Sequence, residues 1–164
     1  MAIIIKKATC NHSMTVLRPA VTDRILVIEH DGPLQRILRR LFSSEGYEVD
    51  VVPNGYGALN ALCQKTPSAV VLDLPHSEAL DCELCRKIVN LVPGLPFVIL
   101  AANSEEGDKA RFLEMGASEY LTIPFSPKEL ARCVRRLIRR RSRIDVRNLY
   151  PFESGCLRGA RCGS

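Results

Sequence analysis

The chain has 164 residues, 46% hydrophobic and 25% charged, which is the length and balance of one globular domain with short extensions, domains usually holding about 100–200 residues. No apolar run approaches the roughly 18 residues that span a bilayer and there is no low-complexity tract, so membrane-spanning, fibrous and disordered classes are excluded. The formal net charge of +5 is unevenly placed: residues 132–164 hold ten arginines against two acids, whereas residues 24–131 hold ten basic and fifteen acidic side chains, so an acidic domain lies between basic ends.

In chain order, Ile25-Leu26-Val27-Ile28 is a continuous β-branched run, predicted as a fully buried strand that stops at Glu29-His30-Asp31. Pro33 suits a first helical turn, and Leu34, Ile37, Leu38 and Leu41 fall on one helical stripe with Arg36, Arg39 and Arg40 on the wet side. Gly46 ends that helix. Tyr47 to Val52 reads as a second strand, and Asn54 caps a helix carrying Ala58, Leu59, Ala61 and Leu62.

Ala69-Val70-Val71-Leu72 is a third buried strand stopping at Asp73, and a helix over Glu83–Leu91 leads to the fourth strand, Pro96 to Leu100. A helix over Glu106–Met115 closes at Gly116, and Tyr120-Leu121-Thr122 is a short fifth strand. Ser126-Pro127-Lys128-Glu129 has the form of a capping box, opening a last helix with Leu130, Val134, Leu137 and Ile138 on its apolar stripe. Five strand-helix units in this length predict an α/β domain, a doubly wound five-stranded parallel sheet with helices on both faces. In such sheets a ligand site lies outside the carboxyl ends of the strands. The residues expected there are Glu29, His30 and Asp31, then Asp73, then Ala101 and Ala102, then Ile123.

The runs Ile-Leu-Val-Ile-Glu-His-Asp (25–31), Val-Val-Leu-Asp-Leu (70–74), Val-Ile-Leu-Ala-Ala (98–102) and Gly-Ala-Ser-Glu-Tyr-Leu-Thr-Ile-Pro-Phe (116–125) resemble the response regulator receiver domain of two-component signalling, and the spacings between Asp73, Ala101 and Ile123 fit it without gaps. The resemblance covers residues 23–142 and implies a flavodoxin-like strand order 2-1-3-4-5. It also implies that an aspartate at the position of Asp73 accepts a phosphoryl group from a histidine kinase, with Mg²⁺ held by that residue and an acidic pair after the first strand. Here the pair is Glu29 and His30, so Glu29 and Asp73 are the implied metal ligands and an imidazole replaces the coordinating carboxylate. Imidazole suits transition metals and is a poor Mg²⁺ ligand, so His30 is expected to be an ordinarily solvated loop histidine, with a transition-metal site shared with Glu29 and Asp73 as the lesser alternative. Asp31 is one position too far along and is predicted to cap the first helix.

The resemblance further implies three switch positions. Ala101 stands where a hydroxyl residue bonds the phosphate, Ile123 where a lysine pairs with it, and Tyr120 at the aromatic switch position. A charge-assisted hydrogen bond contributes about 1.5–3 kcal/mol and a neutral one about 0.5–1.5, so roughly 2–4 kcal/mol of phosphate-dependent coupling is missing. A full two-state switch needs about 5.5 kcal/mol. The expectation is therefore a degenerate receiver, not an enzyme in its own right, acting by protein contacts with weak or absent phosphoryl acceptance at Asp73.

Arg132, Arg135, Arg136 and Arg139 are the candidate partner-binding residues on the last helix, where the family often dimerises or docks partners, so a homodimer or a signalling protein is expected there. The alternative is a nucleic-acid-associated regulator that uses the arginine-rich helix and tail, with salt-sensitive binding. Nucleic acid is not the preferred partner, because no recognition motif or interleaved aromatic stack accompanies the arginines. Residues 1–22 are expected to form a flexible extension, with Met1 and Met14 both candidate starts, and residues 143–164 a disordered basic tail. Seven cysteines without framework spacing, and a start that does not read as a signal peptide, suggest a reducing, cytoplasmic setting. Cys82-x-x-Cys85 is expected to supply buried thiols rather than zinc ligands.

Overall fold

The computed structural model describes residues 22–74, 78–102 and 107–149. Five strands, β1 (Arg24–Ile28), β2 (Glu48–Val52), β3 (Ala69–Leu74), β4 (Phe97–Ala101) and β5 (Glu119–Thr122), alternate with five helices, α1 (Gly32–Ser44), α2 (Gly55–Gln64), α3 (Glu78–Leu91), α4 (Asp108–Glu114) and α5 (Pro127–Leu149). All strand pairs are parallel and the order is β2-β1-β3-β4-β5. The β-branched runs are central because both faces of the sheet are covered. Leu26, Ile28, Val70, Leu72 and Ile99 meet α2, α3 and α4 on one face. Ile25, Val27, Val71, Val98 and Leu100 meet α1 and α5 on the other.

The helix ends follow local chemistry. Asp31 caps α1, its carboxylate accepting from the backbone N–H of Leu34 at 3.2 Å, and Asn54 caps α2 by accepting from that of Gly57 at 2.9 Å. Gly46 follows α1 with φ of +89°, a left-handed turn that only glycine adopts at little cost.

Several expected boundaries and faces are corrected. Ile37 is 56% exposed, and Phe42 is buried with Leu38 in its place. Ile37 lies about 100° around the helix from Leu38, off the stripe that Leu34, Leu38, Leu41 and Phe42 share. The third helix begins at Glu78 rather than Glu83, and β3 runs one residue past Asp73. The last helix continues to Leu149, so the expected boundary at residue 142 falls within a helix, and residues 143–149 are not part of a disordered tail. Apart from Thr22, the expectations for residues 1–22 and for 150–164 lie outside the described residues. Among the described residues, no helix is long and apolar enough to cross a membrane.

Candidate functional site

The register of the sheet builds the site. Ile28 pairs with Leu72, so the next residue of each chain, Glu29 and Asp73, come side by side at the carboxyl end of the sheet. The backbone N–H of Glu29 donates to the carbonyl of Val52 at 3.0 Å, adding one rung to the β1–β2 ladder, and its own carbonyl accepts from the Gln35 amide. That fixes the main chain and turns the side chain inward, where Glu29 is 1% exposed. Its Oε1 accepts from the N–H of Asp31 at 2.7 Å, while Oε2 is buried with no hydrogen-bond partner.

His30 places Nδ1 3.4 Å from Glu29 Oε1 and 3.8 Å from Asp73 Oδ2, with the imidazole 60% exposed and the Asp73 side chain 11% exposed. One donor atom from each of the three residues lies within 4.8 Å of the other two. Burial pushes the Glu29 carboxyl above its ordinary pKa, and the neighbouring Asp73 pushes it further. The N–H of Asp31 and the imidazole of His30 pull the other way. A buried carboxylate oxygen without a donor, facing a second carboxylate, is an arrangement that a cation satisfies.

Mg²⁺ is nevertheless a poor fit. It takes oxygen ligands in near-octahedral geometry, and here the third donor is an imidazole nitrogen. Glu29 and Asp73 supply two carboxylates that suit a cation, and the imidazole of His30 beside them is not a donor that Mg²⁺ favours.

The switch positions are apolar and packed. Ala101 ends β4 at 5% exposure, in the layer beneath α2, α3 and α4, and its carbonyl accepts from the N–H of Ile123 at 2.8 Å. Ile123 packs instead with Leu121 and Phe125 in the layer beneath α1 and α5. The two positions therefore flank the strand ends from opposite faces of the sheet. Tyr120 is 4% exposed, its ring stacked on Phe112 at 6.0 Å between centroids, and burial raises its phenol pKa.

Beside Glu29, His30 and Asp73 opens a cavity of about 390 Å³, walled by the start of α2 and by α3. Tyr56 on its rim is 86% exposed, whereas Asp81 in its wall is 9% exposed. Neither residue was expected at the site. The signal for Asp81 was periodic: it precedes Cys85 and Ile88 by four and seven positions, on one buried stripe of a helix whose start had been read five residues late.

The thiols are as expected. Cys82 and Cys85 are buried and unbridged, with Arg111 donating to the Cys82 sulfur at 2.9 Å, and burial pushes the Cys85 thiol up to about 12. The arginine face is only half available. Arg135 pairs with Glu45, Arg136 pairs with Glu119 at 2.7 Å, and Arg141 donates to the carbonyl of Pro67 at 3.0 Å. Arg132, Arg139, Arg140 and Arg143 remain exposed.

Comparison with known proteins bears on the family and the fold. Residues 25–135 match the family model of the response regulator receiver domain. The transcriptional regulatory protein CreB of Escherichia coli (strain K12) is 34% identical over 118 residues, 72% of this chain and 52% of that protein. Response regulator MprA of Mycobacterium sp. (strain KMS) is 35% identical over 119 residues, 73% and 52% of the two chains. The chain thus spans about half the length of the curated relatives it matches. Among solved structures, the Clostridium thermocellum response regulator receiver domain protein superposes with a TM-score of 0.69 at 20% identity, over 74% of this chain and 98% of that one. NtrX from Brucella abortus gives a TM-score of 0.72 at 22% identity, over 85% of this chain and 32% of that one. At those identities the superpositions establish the fold alone. The family match, on a sheet whose third strand delivers Asp73 to the expected place, shows that the chain belongs to the response regulator receiver domain family of two-component signalling.

Proposed function

We propose that this receiver accepts phosphoryl groups weakly or not at all at Asp73 and transmits signals through protein contacts. The observation that carries this reading is the imidazole of His30 standing 3.4 and 3.8 Å from the two carboxylates, where the family places a coordinating carboxylate. Phosphoryl transfer would join an Asp73 oxygen to phosphorus as the donor's leaving group departs. It would leave anionic oxygens beside the buried Glu29, without the oxygen donor that supports Mg²⁺. The apolar Ala101 and Ile123 supply neither a hydroxyl nor an ammonium group to read them out.

The expected partners are a histidine kinase or another signalling protein, and a second copy of the chain through α5. Arg132 and Arg139, both exposed, are the contacts assigned to that face, whereas Arg135 and Arg136 are held by Glu45 and Glu119. The second reading, a nucleic-acid-associated regulator, draws support from the exposed arginines and from the name of the E. coli relative.

Incubation of the full chain with an acyl-phosphate donor and Mg²⁺ or Mn²⁺, read by intact mass against Asp73→Ala, tests the first reading. The expected result is little or no gain of one phosphoryl mass. A stoichiometric adduct that Asp73→Ala abolishes would overturn it.

A further inference from the structure

We propose that Glu29, His30 and Asp73 form a binding site for a divalent transition-metal ion, and that His30 turns the cation preference of the site away from Mg²⁺. The proposal rests on reading these three residues as the receiver's cation site, but not on whether Asp73 is phosphorylated.

The geometry is that of a chelating set. Two donors each about 2.1 Å from one ion lie about 3.0 Å apart at a right angle and about 3.4 Å apart at the tetrahedral angle. The Nδ1 of His30 lies 3.4 Å from Glu29 Oε1 and 3.8 Å from Asp73 Oδ2, separations that one ion about 2.1 Å from each donor can bridge. Neither separation is a hydrogen bond.

An independent observation points to a ligand. Glu29 is 1% exposed and its Oε2 receives no hydrogen bond from a protein donor, a costly state unless a cation, or a proton shared with the adjacent Asp73 carboxyl, satisfies it. The backbone on both sides is held, by the Val52 carbonyl and by the Asp31 cap, so the carboxylate is presented without local reorganisation. The ring, 60% exposed, leaves access from solvent and coordination positions for water.

Ligand chemistry selects the ion. One imidazole nitrogen and two carboxylates suit first-row divalent metals, whose affinity for such donors rises from Mn²⁺ through Co²⁺ and Ni²⁺ to Cu²⁺. Mg²⁺ prefers oxygen donors and dehydrates reluctantly. The buried thiols do not compete for the ion at this site, since Cys82 and Cys85 lie in the core beneath α3.

The test uses the full chain under reducing conditions, with Co²⁺ and Mg²⁺ titrated separately and followed by the NMR signals of the His30 ring and of the Asp73 backbone. Background binding by other cysteines and histidines is common to wild type and variants. Wild type should bind Co²⁺ about tenfold or more tightly than Mg²⁺, with paramagnetic broadening centred on His30 and Asp73. His30→Ala should weaken Co²⁺ binding by about tenfold or more. His30→Asp, which restores an oxygen donor, should raise Mg²⁺ affinity and narrow or reverse the order. Both replacements are at an exposed side chain, and unchanged melting temperatures of the metal-free proteins would confirm that they fold. Unchanged Co²⁺ broadening in His30→Ala, or tighter binding of Mg²⁺ than of Co²⁺ by wild type, would overturn the proposal. Either result leaves the phosphoryl-acceptance reading to be decided by the mass measurement, so the two can fail separately.

Discussion

The two sides of the strand-end site differ in kind. On the β1–β3 side, Glu29, His30 and Asp73 are ionisable and bring one donor atom each within 4.8 Å, and Glu29 Oε2 is buried without a hydrogen-bond donor. On the β4–β5 side, Ala101, Tyr120 and Ile123 are apolar or packed, and each belongs to one of the two hydrophobic layers. In a receiver the first side receives the phosphoryl group and the second reads it. Here the first side is charged and the second is packed into the core. An alanine at 101 and an isoleucine at 123 pack without the hydrogen-bonding demand that a hydroxyl or ammonium would carry there.

Both sides stand on the same sheet, so the largest expected effect comes from damaging it. Ile99→Ala empties a fully buried position in β4, between the two sides, and should cost about 2–5 kcal/mol in urea unfolding. A cost below 1 kcal/mol would mean that the strand ends are not held by a rigid floor, and the contrast between the sides would lose its basis.

The receiving side itself should be under electrostatic tension. Because burial raises the Glu29 pKa in the folded state above the unfolded value of 4.5, ionising Glu29 costs the folded protein stability. The penalty is absent below the unfolded value and grows as pH rises through the folded one. With chelator present, Glu29→Gln should therefore stabilise the chain by about 1–3 kcal/mol at neutral pH, with the gain disappearing toward pH 4 in thermal melts. A gain independent of pH would assign the effect to something other than the buried charge.

The smallest effect belongs to the arginine face. Arg136→Ala breaks a pair with Glu119 whose side chains are 51% and 26% exposed, and should cost less than about 1 kcal/mol, by chemical denaturation. Arg139→Glu with Arg140→Glu should leave stability unchanged. If the full chain shifts DNA mobility at low salt and this pair of changes abolishes the shift, the nucleic-acid reading replaces the protein-contact reading.

Much of the fold was legible because burial on both faces of a parallel sheet writes itself as unbroken apolar runs. Ile25 to Ile28 and Ala69 to Leu72 could be little else once flanked by amphipathic helices. Helix ends were legible where one side chain decides them, as at Asp31 and Asn54. The misreadings have a common cause. Ile37 satisfies a helical repeat yet points to solvent, and the buried stripe that carries Asp81 shows only once α3 is known to begin at Glu78, so in both cases one dimension leaves the helix face or start unsettled.

The amino-acid sequence by itself determined the strand-helix alternation, the place of Asp73 after a buried run, and the absence of a hydroxyl at 101 and an amine at 123. These depend on residue identity and order alone. Only the tertiary structure decided that Glu29 and Asp73 become neighbours, that His30 reaches both, that an oxygen of Glu29 is left without a partner, and that Arg135 and Arg136 are already spent on Glu45 and Glu119. Apart from the contact between the adjacent Glu29 and His30, those facts depend on residues apart in the chain, brought together by the register of parallel strands and the seating of α5. Local propensity carries no information about such distances.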